Sequence, residues 1–279
     1  MTHQDIIDRL LSTYVPLPFE NTCDGFKAGN PQDVCTGIAT TCVLSPNVIR
    51  EAARLRCNLI IVHEPTFFTH DDDTGWLKGN AVYEQMTQML AEHSMAVWRN
   101  HDHMHASHPD EIMVGVLEAL GWTQYAQEPD FRFCTQIILP EMSLSELAHH
   151  MKVCLNLSTG RIVGNPDARV SRLAFCGHIF PSWNAEERKP TQLLSREDVD
   201  VLIPGEIIDW TVVPYIRDAA QLGMNKALIQ VGHFNLEEPG MRYMAKKIAG
   251  LVPELPVHYV PAGDPYFFIE SAHDRRTTI

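Results

Sequence analysis

A short apolar run that ends in two polar residues and a proline constrains the fold of this chain most strongly. Residues 58–62 read Asn-Leu-Ile-Ile-Val, and His63, Glu64 and Pro65 follow directly. An apolar run of this length suits a strand inside a parallel sheet, and open α/β sheets bind ligands beyond the carboxyl ends of their strands. The run therefore predicts a buried strand that delivers His63 and Glu64 to a ligand site. The alternative is a core strand that merely ends at a histidine.

Two later runs have the same form. Residues 95–100 are followed by the segment 101–105, which reads His-Asp-His-Met-His, and residues 226–231 precede His233 and Glu237. Each histidine alone is also compatible with a satisfied strand-end ring, and Glu237 with a residue that only complements a helix dipole. Imidazole and carboxylate are, however, the ligands that borderline divalent metals prefer. Their repetition at three strand ends predicts a metal site.

Strand-like and helical segments alternate along the whole chain. Helices are predicted over 4–13, 46–56, 81–93, 109–120, 145–153, 210–222 and 236–249, and further strands over 34–44, 135–139, 170–176, 199–203 and 256–260. Residues 24–31 and 71–75 are predicted to be loops. Such alternation indicates βαβ units with parallel strands. We expect an α/β protein with two similar halves, residues 1–126 and 127–279, and with mostly parallel or mixed sheets.

Local signals mark where three of these helices begin. Ser45 before Pro46 is a typical N-cap, and Ser143 with Glu146 forms a capping-box pattern. Asn235 with Glu238 has the same spacing before the helix predicted over 236–249. We therefore expect that last helix to begin after Asn235.

The charge balance disfavours one class of partner. Lys and Arg total 22 against 35 Asp and Glu, so the net charge is −13, whereas binding to a phosphate backbone depends on clustered cations. We expect no nucleic-acid partner. The first residues show no secretory leader, and no apolar stretch approaches the roughly 20 residues that cross a bilayer, so we expect a cytoplasmic protein with no membrane partner. The seven cysteines form no Cys-x-x-Cys pair, which predicts reduced thiols.

Five segments together resemble the NGG-interacting-factor-three-like family, the dinuclear-metal-centre hexameric proteins that are often labelled GTP cyclohydrolase type 2 homologues. These segments are 24–29, 59–68, 100–105, 205–206 and 232–240, and they run in order along nearly the whole chain. The resemblance implies two intertwined α/β halves and a homohexamer of toroidal shape. It also implies two divalent metal ions per chain, of zinc, manganese or iron, at strand ends between the halves.

The same resemblance implies a ligand set, which is His63, Glu64, His105, His233 and Glu237. Two positions depart from the family pattern. Glu64 stands where the family usually has a second histidine, and His105 stands where it has an aspartate. Asp102 or His103 is therefore an alternative ligand, and His101 could bind a metal or support a ligand.

The chemistry expected from this ligand set is metal-assisted hydrolysis. A hydroxide shared by two metals roughly 3.5–4 Å apart would attack a small substrate, such as a nucleotide or another phosphorylated compound. The metals would also polarise the substrate oxygen. His101 or His103 would carry the proton. The family label implies opening of a guanine nucleotide ring, but the sequence has no P-loop signature. The alternative is a non-catalytic, metal-binding hexameric scaffold or regulator.

Overall fold

The chain folds as two α/β units, and the computed structural model describes residues 1–127, 134–179 and 189–267. Unit 1 comprises Met1–Glu118 and Glu237–Ala262, and unit 2 comprises the described parts of Ala119–Leu236 and of the segment that starts at Gly263. The predicted α/β class is confirmed. Residues 237–262, which a division at residue 126 places in the second half, pack within unit 1.

Strands and helices alternate for most of the described chain. The strands are β1 Gly25–Ala28, β2 Ile38–Thr41, β3 Leu59–Val62, β4 Ala96–Arg99, β5 Ala126–Gln127, β6 Cys134–Ser143, β7 Arg161–Val163, β8 Arg169–Ile179, β9 Val201–Ile207, β10 Ala227–Gln230 and β11 Val257–Tyr259. The α-helices are α1 His3–Leu11, α2 Pro46–Arg54, α3 Ala81–Glu92, α4 Asp102–Ala106, α5 Glu111–Leu120, α6 Leu144–Cys154, α7 Lys189–Ser195, α8 Val212–Gln221 and α9 His233–Leu251. No helix among these is both long enough and apolar enough to cross a membrane.

The sheet of unit 1 has the order β1-β4-β3-β2-β11. Its strands are parallel except for β1, which runs antiparallel to β4. All four side chains of β3 are buried, as expected for an apolar strand in the middle of a parallel sheet. Val62 of β3 pairs with Arg99 of β4, so the residues that follow both strands emerge at the same edge.

The sheet of unit 2 has the order β5-β6-β8-β9-β10-β7. Its central strands β8, β9 and β10 are parallel, and the outer strands pair antiparallel. Ala174, Leu202 and Leu228, one from each central strand, pack with Val212 and Ile216 of α8. Removal of these apolar side chains from water stabilises the unit by about 1.5–3 kcal/mol for each large aliphatic residue.

Two of the predicted helix starts are confirmed and one is wrong. The Ser45 side chain accepts the N–H of Val48, and Ser143 forms its predicted capping box. Helix α9 instead begins at His233, so Asn235 lies inside it and donates its side-chain N–H to the carbonyl of Val231. The Glu238 carboxylate instead accepts a hydrogen bond from the Tyr259 hydroxyl. Tyr259 lies beyond the end of α9, so local sequence does not reveal this partner.

Glycines permit a close approach of α5 and α9 in unit 1. A Cβ added at Gly115 would lie 2.4 Å from the Pro239 carbonyl oxygen, and one added at Gly240 would lie 2.5 Å from Ile112. No side chain fits at either distance. The contact fixes the part of α9 that directly follows Glu237.

Two segments predicted to be loops or strand ends are regular elements. Residues 25–28, within the predicted loop 24–31, form strand β1, and the histidine-rich segment after β4 forms the short helix α4. A helical turn returns a side chain to the same face about every four residues. Helix α4 therefore separates His103 from His101 and His105.

Candidate metal site at the ends of β3 and β4

His63 is fully buried at the carboxyl end of β3. Its Nδ1 lies 3.3 Å from the carbonyl oxygen of Asn100, and because a carbonyl only accepts, this nitrogen carries the proton. Its Nε2 makes no hydrogen bond within the described residues, although Glu237 Oε2 lies 3.4 Å away. A buried imidazole with one nitrogen tied to a carbonyl and the other open has the arrangement of a metal ligand.

Two more imidazoles surround His63. Its ring centroid lies 4.7 Å from that of His101 and 5.0 Å from that of His105, and these two are 4.8 Å apart. One nitrogen of each ring lies within 4.8 Å of one nitrogen of each of the others. His101 follows β4 directly, and His105 lies one turn later on α4. The three rings therefore form a compact donor group.

A carboxylate fixes each of the two rings that follow β4. Nδ1 of His101 lies 2.8 Å from Asp102 Oδ1, and Nδ1 of His105 lies 2.8 Å from Asp110 Oδ2. Such contacts set the tautomer and direct Nε2 away from the carboxylate. Asp110 is a supporting residue that no sequence pattern indicates.

Two carboxylates complete a second donor group. Oxygen atoms of Glu64 and Glu237 lie within 4.8 Å of each other and of a His63 nitrogen, and all three residues are buried. The two groups share His63, and all their residues belong to unit 1. Nitrogen and carboxylate donors of this kind suit zinc, manganese or iron, so the residues present fit a divalent metal.

Asp102, the alternative ligand, belongs to a third group. Donor atoms of Cys23, His101 and Asp102 also lie within 4.8 Å of one another. Both Asp102 oxygens already accept hydrogen bonds, one from His101 and the other from the Thr22 hydroxyl and the Cys23 N–H. These bonds outweigh the effect of burial and lower the pKa of Asp102. The geometry makes Asp102 a support for His101.

Two predicted site residues lie outside these groups. His233 is the first residue of α9 and belongs to unit 2, where its Nδ1 lies 3.3 Å from Glu206 Oε1. Nδ1 of His103 lies 2.6 Å from Asp24 Oδ2, and its ring packs 5.2 Å from that of Tyr14. The structure thus brings together four of the five predicted ligands with His101, which was assigned to proton transfer.

The protonation states of the two rings after β4 differ. Burial, reinforced by the neighbouring His63 and His105, lowers the pKa of His101 to about 4. Burial also acts to lower the pKa of His105, but the contact with Asp110 and the charges of Glu237 and Glu64 outweigh it and raise that pKa to about 9. Without a metal at pH 7, His101 is neutral and His105 is charged. A cation that binds His105 must displace its proton.

Comparison with known proteins gives consistent results. Residues 1–263 match the family model described as Duf34/NIF3 (NGG1p interacting factor 3). A Clostridium acetobutylicum protein named GTP cyclohydrolase 1 type 2 homolog is 23% identical over 266 residues, which cover 89% of this chain and 90% of that protein. The crystal structure of a Bacillus cereus protein related to NIF3 matches with a TM-score of 0.74 at 16% identity, over 96% of this chain and 99% of that one. Staphylococcus aureus protein SA1388 matches with a TM-score of 0.70 at 18% identity, over 96% and 99% of the two chains. At these identities the solved structures establish a shared fold.

Proposed function

Because the chain belongs to the Duf34/NIF3 (NGG1p interacting factor 3) family, we propose that it binds divalent metal and acts as a metal-dependent hydrolase on a small substrate. The observation that carries the proposal is the buried Nε2 of His63, which has no hydrogen-bond partner in the described chain and lies among His101, His105 and two carboxylates. Burying such a nitrogen without a partner costs free energy, and a bound cation removes that cost.

The residues of the proposed site have two roles, metal binding and proton transfer. Divalent ions supply Lewis acidity, which lowers the pKa of a water and polarises a substrate oxygen. His63, His105, Glu64 and Glu237 would hold the metal. With two divalent ions bound, the two carboxylates would offset only part of the positive charge, which would leave an attraction for an anionic substrate. Asp102 keeps the proton of His101 on Nδ1, so that Nε2 of this neutral ring can accept a proton from the reaction.

A metal-binding scaffold without catalysis is the second candidate, and burial favours it. Structural metal sites are closed, whereas catalytic sites keep one position open. His63 is fully buried, but 19% of the His101 side chain and 33% of the His105 side chain are exposed. The partial exposure of His101 and His105 supports the hydrolase. A measurement of turnover decides between the hydrolase and the scaffold.

The experiment combines metal titration with a substrate panel. Purified protein is analysed for zinc, manganese and iron, titrated with each, and assayed on nucleotides, phosphoesters and amides. His63→Ala should lose metal binding and turnover while circular dichroism shows the fold retained, and the exposed His93→Ala should behave as wild type. His233→Ala tests whether that residue adds a ligand.

The outcomes separate the candidates. Metal uptake with metal-dependent turnover supports the hydrolase, and metal uptake with no turnover anywhere on the panel supports the scaffold. A wild-type protein that takes up none of the three metals would overturn both.

A further inference from the structure

The loop of residues 63–72, named here the ligand loop, begins at His63, carries Glu64 and is fastened by one buried arginine. Arg99 is the last residue of β4, and its side chain is fully buried. Its Nε donates to the carbonyl oxygen of His63 at 3.1 Å, and its Nη1 donates to the carbonyl oxygen of His70. One guanidinium therefore holds the first residue of the ligand loop and a residue near its end.

Asp72 extends this attachment. Its Oδ2 lies 3.4 Å from Arg99 Nη1 and 3.5 Å from Lys27 Nζ, and its Oδ1 accepts the N–H of Phe67 at 2.8 Å. The ion pair of Arg99 and Asp72 thus contacts the backbone at the start, the middle and near the end of the ligand loop.

The ligand loop needs such an attachment because its backbone is strained. Phe68 has φ of 71° and Asp72 has φ of 55°, a left-handed conformation that side chains other than glycine rarely adopt. Strained residues of this kind persist only when their surroundings fix them. Without the ion pair, the loop would relax toward other conformations and carry Glu64 with it.

Stability alone does not explain a buried arginine at this position. Burying a guanidinium has a large desolvation cost, and a hydrophobic residue of similar volume is often as stabilising. Nη2 of Arg99 also lacks a hydrogen-bond partner among the described residues. What an apolar residue cannot do is donate to the carbonyl groups of His63 and His70.

We infer that Arg99 is a positioning residue, which acts through the ligand loop to fix His63 and Glu64 in the orientation that binds metal. The inference rests on the proposed function, because it concerns the same site. A guanidinium has no acceptor atom to offer a cation, so Arg99 would act only through the backbone of the ligand loop. Its contribution is to set the direction in which two neighbouring side chains leave the backbone.

A purely electrostatic role makes the opposite prediction. Arg99 and Lys27 carry two positive charges against the one negative charge of Asp72, so this cluster repels a cation nearby. If charge alone mattered, removing either positive residue would strengthen metal binding. Arg99→Lys keeps the positive charge and loses the planar set of guanidinium N–H donors. Lys27→Met loses a positive charge and leaves the guanidinium donors of Arg99 in place.

The test measures metal affinity and loop exposure in the two variants and the wild type. Competitive titration against a chromophoric chelator gives the zinc and manganese affinities, and amide hydrogen exchange of metal-free protein reports the order of residues 64–72. We expect Arg99→Lys to weaken metal binding about 10- to 100-fold, as substitutions of supporting residues do. Exchange in the ligand loop should increase, while exchange in α2 should not. Lys27→Met should bind metal at least as tightly as wild type.

Each remaining outcome has a definite meaning. Wild-type metal affinity in Arg99→Lys, or wild-type exchange in its ligand loop, would overturn the inference and leave the proposed function standing. If the wild type binds no metal, the proposed function fails. Hydrogen exchange then still tests whether Arg99 orders the ligand loop. Unchanged exchange in Arg99→Lys would show that it does not. If Arg99→Lys does not fold, exchange in the ligand loop of Asp72→Asn makes the test, because this variant removes the ion pair and keeps the side-chain shape. Wild-type exchange there would overturn the inference.

Discussion

The Asp24 carboxylate lies 2.6 Å from Nδ1 of His103 and also accepts the backbone N–H groups of His101, Asp102 and His103. These are the first donors of α4, and His101, which precedes that helix, provides no side-chain cap. Asp24 therefore caps α4 from a distant part of the chain and turns the His103 ring away from His63. The orientation of α4 in turn places His105 in the donor group.

Replacing Asp24 should weaken both the fold and the metal site. We expect Asp24→Ala to lower the free energy of unfolding by about 1–2 kcal/mol, as loss of a helix cap does, and to reduce metal affinity because α4 carries His105. Urea unfolding and metal titration measure the two effects, and the exposed Asp8→Asn serves as control. Unchanged stability and affinity in Asp24→Ala would contradict this role.

The contact between His105 and Asp110 should make the metal-free protein sensitive to alkaline pH. The pKa of His105 is raised from about 6.5 to about 9, so the stability that its proton contributes is fully present below pH 6.5 and is lost as pH rises through 9. Asp110→Asn removes the largest of the contributions that raise this pKa and should reduce the loss. Histidine NMR titration and unfolding at pH 6.5 and 9.5 measure both. A His105 pKa that is the same in the variant would contradict the assignment.

The same proton should compete with metal. Because the cation binds only the neutral ring, zinc affinity of the wild-type protein should rise from pH 7 to pH 9 and then level off. His101, with a pKa of about 4, is already neutral over this range and adds no such dependence. Titration in buffers that do not bind zinc measures the slope, and a flat profile would show that His105 is not a ligand.

The departures of Glu64 and His105 from the family pattern suggest a compensated exchange. Glu64→His removes a carboxylate from the donor groups and His105→Asp adds one, so each single variant should bind metal less well. The double variant restores the total charge and should bind more tightly than the weaker single variant. A double variant no better than that single would mean that the two positions act independently.

Assembly is a further proposal, which rests on the family resemblance. We expect the protein to sediment as a homohexamer of six 31.5 kDa chains. Sedimentation velocity over a range of concentrations, with and without added zinc, tests this. A monomer at every concentration would exclude it.

The parts of this protein that local sequence determines were predictable. The apolar run before His63 predicts β3, so that His63 and Glu64 follow its carboxyl end, and Ser45 and Ser143 identify two helix starts. Each signal lies within a few residues of the element that it describes. Periodicity and side-chain capping act over that same range, which is why these predictions hold.

The supporting contacts could not be predicted in this way. Asp24 caps α4 from 77 residues away in the chain, and Arg99 reaches the carbonyl of His63 across 36 residues. Such pairs form only when the sheet has set the registers of β4 with β1 and with β3. Asn235 shows the reverse error, because its capping pattern is present but α9 starts earlier, at His233.

The return of the chain to unit 1 at Glu237 has a consequence for synthesis. Every other residue of the His63 donor groups lies within the first 105 residues, yet the site lacks one carboxylate until α9 exists. Strand β11, which pairs with β2, is made later still. A ribosome must therefore release most of the chain before the first sheet gains its last strand. A truncated product that ends after unit 2 begins would carry the histidines without the complete site.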